Sequence, residues 1–299
     1  MARSLHKARP RISAYLMLAD PSYLSESLQA YYPYVDRIVL SYDRRFVSWT
    51  GTRLPVEQCL DIVRRLDTEN KCVAAPGDFA RPGFAPLDND TFQRQAALDA
   101  ASDGADWVLQ LDTDEVMVDS PTFFDALGRA DAAAAAGLDY PARWLYSRVR
   151  PGRYLEQAAP GWKLAASFPG PLAIRSGTRL RHARQADVSL YRVDIAARNT
   201  DPWRSPTARV DEVVRPDQAV LHFSWVRQPD VIRRKFGWSG HTAQMKPPAV
   251  YRAWARRSRH PFLTVATSPF RRRLGGWYRL ASIPEPPGGE PITVEMKPQ

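Results

Sequence analysis

Asp112, Asp114 and Glu115 close the apolar run Trp107-Val-Leu-Gln-Leu111. In extended backbone successive side chains alternate sides, so Asp112 and Asp114 point one way and Thr113 the other. Two hard carboxylates at the C-terminal end of a strand suit a divalent cation, Mn²⁺ or Mg²⁺, that carries a phosphorylated ligand. Open α/β sheets bind their ligands at that same edge. The competing reading is an acidic turn ahead of a helix, because Ser120-Pro121 opens an alanine-rich helical stretch soon afterwards.

The elements that would position this turn alternate between strand and helix, the pattern of a mainly parallel sheet covered on both faces. Ile12–Leu18 is a strand, and Asp20-Pro21 caps a helix carrying Leu24, Leu28 and Tyr31 up to Pro33. Val35–Tyr42 is a second strand, ending at Asp43. Val56, Cys59, Leu60 and Val63 form one helical stripe, and Lys71–Ala75 a third strand stopped by Pro76-Gly77. Residues 77–90 read as a functional loop, with Asn89 or Asp90 capping a helix through Ala101. Ser120–Ala136 is the next helix, closed by Gly137. Beyond Tyr140, strands at Arg143–Tyr146, Leu172–Ile174, Val188–Val193 and Ala219–Phe223 are separated by loops. A short helix runs from Gln228-Pro229 to Gly237, and the Pro/Gly-rich residues 276–299 read as a tail.

At 299 residues the chain can bury one large α/β core. No apolar run is long enough to span a bilayer, and the basic start followed by Ile12–Leu18 reads as a first strand, not a leader. Cys59 and Cys72 are expected as buried free thiols in a cytoplasmic protein. The net charge is +10, which favours anionic partners: nucleotides, nucleic acid or an acidic membrane face. Part of that charge lies in residues 252–273, where Arg252, Arg256, Arg257, Arg259 and Arg271 to Arg273 alternate with Tyr251, Trp254 and Phe262. This segment is either a solvated helix face or a polyanion-binding one.

The order strand, arginine-bearing helix, then Trp-Val-Leu-Gln-Leu-Asp-Thr-Asp-Glu resembles nucleotide-sugar glycosyltransferases of the GT-A type, family-2-like, over residues 11–119. A second block, Val220-Leu-His-Phe-Ser-Trp-Val-Arg227 with Lys235 and His241 behind it, is similar to the segment closing the donor site in several such families. The eukaryotic bisecting GlcNAc-transferases of N-glycans, with a comparable His/Ser-Trp, Lys, His order, are among them. The resemblance implies a Rossmann-like GT-A fold, α/β with a mainly parallel central sheet and a smaller acceptor-side lobe. The single domain would span residues 1–275, its donor half about 11–119 and its acceptor half about 120–275. Asp43 would contact the donor's base or ribose, or else cap its own turn. Arg94 would face the donor, or else lie on a solvated helix face, although the usual glycine-rich lead-in and following asparagine are missing.

Glycosyl transfer breaks a sugar–diphosphate bond, so negative charge grows on the leaving group. An ion held by Asp114 and Asp112 would neutralise it, and Arg227, Lys235 and His241 would complete a cationic clamp on the diphosphate. His222 is the candidate third metal ligand, or else a satisfied residue at a strand end. An inverting reaction also needs a carboxylate base. Asp187, Glu156, Asp211 and Glu212 are in the right part of the chain, with Asp187 favoured; Glu115 is the other catalytic candidate, behind the metal carboxylates.

The expected activity is therefore an inverting, metal-dependent transfer from a UDP-sugar to a hydroxyl of a glycan, small-molecule or polyanionic acceptor, with peripheral membrane contact as a further expectation. The alternative class is a nucleic-acid-binding or nucleic-acid-modifying protein, including one that glycosylates DNA or RNA. A nucleotidyltransferase would also use paired aspartates, but Leu18-Ala-Asp-Pro21 is not the glycine-rich phosphate loop it normally needs.

Overall fold

The computed structural model describes residues 9–238, 247–271 and 275–284. The first apolar run forms β1 (Ile12–Met17), buried at all positions, as a parallel strand covered on both faces must be. Then come α1 (Leu24–Tyr31), β2 (Arg37–Asp43), α2 (Val56–Leu66), β3 (Cys72–Gly77), α3 (Pro86–Ser102) and β4 (Trp107–Gln110). A two-residue strand β5 (Glu115–Val116) follows the acidic turn, and α4 (Ser120–Ala132) leads to β6 (Gly137–Asp139). Mostly strand comes next: β7 (Ala142–Arg150), β8 (Arg153–Ala159), β9 (Lys163–Leu164), β10 (Ala173–Arg175), β11 (Leu190–Asp194), β12 (Glu212–Val213) and β13 (Val220–His222). Helices α5 (Pro229–Trp238), α6 (Pro247–Arg259) and α7 (Pro261–Ala266) precede β14 (Trp277–Ser282).

The main sheet runs β12-β11-β6-β10-β4-β1-β2-β3. Strands β4, β1, β2 and β3 are parallel, and β10 is antiparallel to both its neighbours. The fold is thus α/β with a mainly parallel central sheet. A second sheet, β14-β8-β7-β13-β5, carries β9 beside β8. Because β4 belongs to the first sheet and β5 to the second, residues 111–114 are the joint between them.

Side-chain alternation along β1 divides the core. Ile12, Ala14 and Leu16 pack on one face with Leu24, Leu28, Cys59 and Phe123. Tyr15 and Met17 pack on the other with Leu98, Ala101 and Ile174. Leu16 is fully buried, and cutting such a residue back to alanine costs about 2–5 kcal/mol.

Several local expectations are corrected. Asp20 caps no helix; its carboxylate accepts from Ser22 N and Oγ, and α1 starts only at Leu24. Helix α3 begins at Pro86, so Asn89 and Asp90 lie inside it on the buried face, and the loop before it is shorter than residues 77–90. Helix α4 stops at Ala132 and is capped by Asp119, which accepts from Thr122 N. Gly137 starts β6 instead of ending that helix, and a Cβ there would come within 2.7 Å of Leu190. Close strand packing decides this position, not helix propensity. Residues 277–282, expected in the tail, pair along all of β14 with β8, burying Tyr278 and Ala281; residues 285–299 lie outside the described ones. Cys59 and Cys72 are free, and burial pushes both thiols up to about 12. Among the described residues no helix is long and apolar enough to cross a membrane.

Candidate active site

At the carboxyl ends of β1, β2 and β4 a cleft of about 280 Å³ opens. Asp20, Asp43, Arg94, Asp112, Asp114 and His222 all line it, with Arg184 and Lys235. Tyr42, Trp49, Trp144 and Trp238 add aromatic wall. Six of the sequence candidates (Asp43, Arg94, Asp112, Asp114, His222 and Lys235) thus converge from distant parts of the chain, at the sheet edge where α/β folds bind ligands.

The acidic turn is held from within. Asp112 N donates to Glu115 Oε2 (3.1 Å) and Glu115 N to Asp112 O (3.1 Å). Glu115 is fully buried, and both its oxygens accept from the Arg184 guanidinium, which also donates to Gln110 O (2.7 Å). Glu115 does not line the cleft, so the geometry corrects its expected catalytic role: it positions Arg184 and the turn.

Asp112 pairs with Arg94, whose Nη2 is 2.9 Å from Oδ1, while Arg94 Nε donates to Asp90 (2.7 Å). The Asp90–Arg94 spacing of four residues on α3 makes this pair, and Arg94 is buried in the cleft wall, not on a solvated helix face. Burial alone would raise the Asp112 pKa, but Arg94, Arg184 and His222 outweigh it and hold the carboxyl below the usual range.

Asp114 is 7% exposed. Its Oδ2 accepts from Arg227 Nη2 (3.0 Å) and Lys235 Nζ (3.1 Å), and its Oδ1 is 3.5 Å from His222 Nε2. Burial opposes ionisation, yet Lys235, His222 and Arg227 together hold this carboxyl well below the ordinary value. Lys235 also donates to Ser224 O (3.0 Å) and Oγ (2.9 Å). Its pKa is lowered, by burial first and then by Arg227, against the pull of Asp114.

His222 is placed by the ladder: β13 sets it opposite Glu115 on β5 and Trp144 on β7. Its ring stacks on Trp144, centroids 5.6 Å apart and planes 4° off parallel. Arg227 lies behind the cleft wall, joining Asp20 (2.5 Å) to Asp114. It supports Asp114 without reaching the cleft, which corrects its expected place in the diphosphate clamp. His241 lies outside the described residues.

Asp43 is buried and its carboxylate is spent on backbone. It accepts from Arg45 N (3.0 Å), Phe79 N (2.8 Å) and Ala80 N (3.0 Å), so it caps the loops around the cleft. Burial alone would raise its pKa; these donors lower it. The turn-cap alternative therefore describes Asp43 better than a ribose contact does. Asp187 is 74% exposed and paired with Arg181 (3.2 Å); it does not line the cleft, so its position gives no support to a role as base. Glu156 is buried against Arg143, and Glu212 pairs with Arg129. Asp211 accepts from Arg192 N.

Sequence reasoning missed Arg184 and the Asp20–Arg227 pair. Both link residues about 70 or more positions apart, and nothing in local spacing marks them. The Asp90–Arg94 pair was readable as an i, i+4 contact.

Among the described residues no group of three or more His, Cys, Asp or Glu is placed to hold a metal ion. Asp114 Oδ1 and His222 Nε2 do face each other, with Asp112 beside them. An ion shared with substrate phosphates draws only one or two carboxylates from its protein and completes its shell with phosphate and water. The donor set fits that kind of ion and not a closed structural site.

No family model and no curated protein matches the sequence. Among solved structures the chain is similar to 4-diphosphocytidyl-2C-methyl-D-erythritol synthase from Anaerococcus prevotii. The TM-score is 0.34 and the identity 12%, over 56% of this chain and 70% of that one. It is also similar to a mannose-6-phosphate isomerase from Helicobacter pylori (TM-score 0.29, 10% identity, 56% and 60% of the two chains). A mannose-1-phosphate geranyltransferase from Thermus thermophilus gives a TM-score of 0.27 and 13% identity, over 56% of this chain and about half of that one. Likenesses this loose assign no chemistry.

Proposed function

We propose that this chain transfers a glycosyl group from a nucleotide-diphosphate sugar, a UDP-sugar, to an acceptor hydroxyl. One observation carries the reading. The Asp114–His222 pair faces the cleft at the carboxyl edge of the parallel strands, with the Lys235 ammonium 3.1 Å from Asp114. The ammonium suits a diphosphate directly, and the carboxylate and imidazole suit one through a divalent ion that they would hold.

In this reading Lys235 and Arg94 meet the diphosphate and stabilise the charge that grows as the sugar departs. Tyr42 and Trp49 give the base an aromatic wall, and Trp49 is fixed by donating Nε1 to Gln93 Oε1 (2.7 Å). Arg227 and Glu115 hold Asp114 and Arg184 in place, which spares reorganisation during the reaction. A Mn²⁺ or Mg²⁺ ion held by Asp114 and His222, with Asp112 beside them, would supply further charge neutralisation on the leaving diphosphate. Among the described residues five carboxylates line the cleft, Asp20, Asp43, Asp90, Asp112 and Asp114, and each already serves a cation or an N–H donor. No general base is assigned among them. Product configuration, read by NMR, decides between inversion, which needs a base, and retention, which does not.

The test is a panel of nucleotide sugars incubated with the protein, with and without Mn²⁺, and scored for donor hydrolysis and for binding by calorimetry. Metal-stimulated release of nucleoside diphosphate is the expected result. If no nucleotide sugar binds or turns over, the reading is wrong. Release of pyrophosphate from a nucleoside triphosphate plus a sugar phosphate would redirect it to nucleotidyl transfer.

A further inference from the structure

The positive charge of this chain is concentrated in one stretch. Residues 231–284 contain twelve Lys and Arg and no Asp or Glu, while the whole chain carries +10, so the rest is net −2. Arg252, Arg256 and Arg259 on α6 are exposed. Arg257 turns inward instead, donating to Tyr146 Oη (2.9 Å) and lying over the Tyr146 and Tyr278 rings. Only part of the arginine cluster is therefore free to meet a partner. Arg271 stands close enough to Arg257 and Arg256 that their charges, after burial, lower its pKa.

The next helix has its polarity reversed. Surface helices bury apolar side chains and expose polar ones. In and just after α7 it is Pro261, Thr264 and Ser268 that are buried. The hydroxyls are consumed internally: Ser268 Oγ donates to Thr264 O (2.9 Å) and accepts from Tyr278 N (3.1 Å). Phe262, Leu263 and Phe270 point outward, 69%, 61% and 86% exposed. Trp162, itself half-exposed, extends the patch by donating Nε1 to Val265 O (3.1 Å). Scattered exposed apolar residues are ordinary, but three large ones within nine residues, directly after a helix with exposed arginines, mark a contact surface.

We propose that this face docks the chain on an anionic lipid bilayer, Phe262, Leu263 and Phe270 entering the interfacial layer while Arg252, Arg256 and Arg259 meet headgroup phosphates. Charge complementarity selects the class of partner, since an acid-free basic stretch is drawn to an anionic leaflet. The projecting apolar side chains select the bilayer over nucleic acid. Aromatic rings can stack on bases in a groove, but the aliphatic Leu263 has no stacking face and contributes only by leaving water. Basic and apolar side chains side by side are the composition of an interfacial anchor.

The full-length protein is sedimented with vesicles of phosphatidylcholine alone and of phosphatidylcholine with phosphatidylserine. Two variants accompany it: Phe262→Ser/Leu263→Ser/Phe270→Ser and Arg252→Gln/Arg256→Gln/Arg259→Gln. Wild type should bind the phosphatidylserine vesicles and largely ignore the neutral ones. The arginine variant should bind about a hundredfold more weakly, at roughly fivefold per arginine. The apolar variant should lose binding even at low salt. All three should keep the same thermal unfolding and nucleotide binding, because the altered side chains are exposed and away from the cleft. Wild type that fails to bind phosphatidylserine vesicles, or an apolar variant that binds as wild type does, overturns the proposal. So does arginine-dependent binding of oligonucleotides in preference to vesicles. A wild-type dimer that the apolar variant turns into monomer would make this face a self-contact instead and also overturn it.

Discussion

His222 Nε2 sits 3.5 Å from Asp114 Oδ1 because two short strands of the second sheet pair directly beside the joint between the sheets. Strand β13 pairs antiparallel with β5, and Phe223 N donates to Asp114 O (2.8 Å). The imidazole thus reaches the acidic turn by backbone pairing, and Trp144 fixes the plane of its ring.

The first prediction separates the two members of that pair. His222→Ala is expected to lower donor turnover by about 10–100-fold and leave stability nearly unchanged, since the ring lies at a strand end. Asp114→Asn is expected to lose turnover and also about 3–5 kcal/mol of stability, because Lys235 would lose its buried counter-charge and Arg227 one of its two, keeping only Asp20. Urea unfolding and donor hydrolysis measured side by side distinguish the outcomes. An Asp114→Asn protein as stable as wild type would contradict the ion network.

Glu115 and Arg184 form a buried pair with both carboxylate oxygens engaged. Glu115→Leu and Arg184→Met should each cost about 3–5 kcal/mol. The double variant should cost less than the sum by about 1–3 kcal/mol, since each single change strands the other charge. Additive losses in a double-mutant cycle would show that the pair is not coupled.

Asp43 links the cleft to pH. Its pKa is depressed by N–H donors acting against burial. Its contribution to stability is therefore complete above the ordinary aspartate value of 3.8 and is lost as pH falls through the lower folded-state value. Asp43→Asn turns an NH₂ towards one set of backbone donors, at a cost of about 1–3 kcal/mol at neutral pH. The gap from wild type should narrow below pH 3.8, as the native carboxylate takes up its proton. Unfolding midpoints at neutral and acidic pH give the comparison, and a gap that stays constant with pH would refute it.

Much of the cleft was legible in the sequence because its parts sit at element ends. Strand alternation aimed Asp112 and Asp114 the same way, and the ends of the second strand and of the Val220–His222 run carried Asp43 and His222 to the same edge. What could not be read was which charge each acid would meet. Arg184 arrives from a loop beyond the antiparallel β10, and Arg227 from beyond β13, so their partners are set by tertiary path alone. The same gap made Asp187 attractive as a base, since a carboxylate in a loop gives no sign of facing outward. The β8–β14 pairing was hidden because Trp277–Ser282 follows a glycine pair and precedes a proline-rich stretch, both of which read as tail.

The last prediction isolates Lys235, the ammonium that lines the cleft beside Asp114. If it stabilises charge that develops on a leaving diphosphate, Lys235→Met should lower kcat by about 10²–10³-fold and change the donor KM little. Arginine should not restore it: the Nζ sits 2.9–3.1 Å from three oxygens of Asp114 and Ser224, a point-charge arrangement that a planar guanidinium does not reproduce. Stability should fall less than in Asp114→Asn, because the methionine stem replaces the lysine stem and Arg227 still faces Asp114. Steady-state kinetics on the donor that turns over, with unfolding measured alongside, tests both parts. A rise in KM with kcat unchanged would make Lys235 a ground-state binding residue, and full activity in Lys235→Met would remove it from the site.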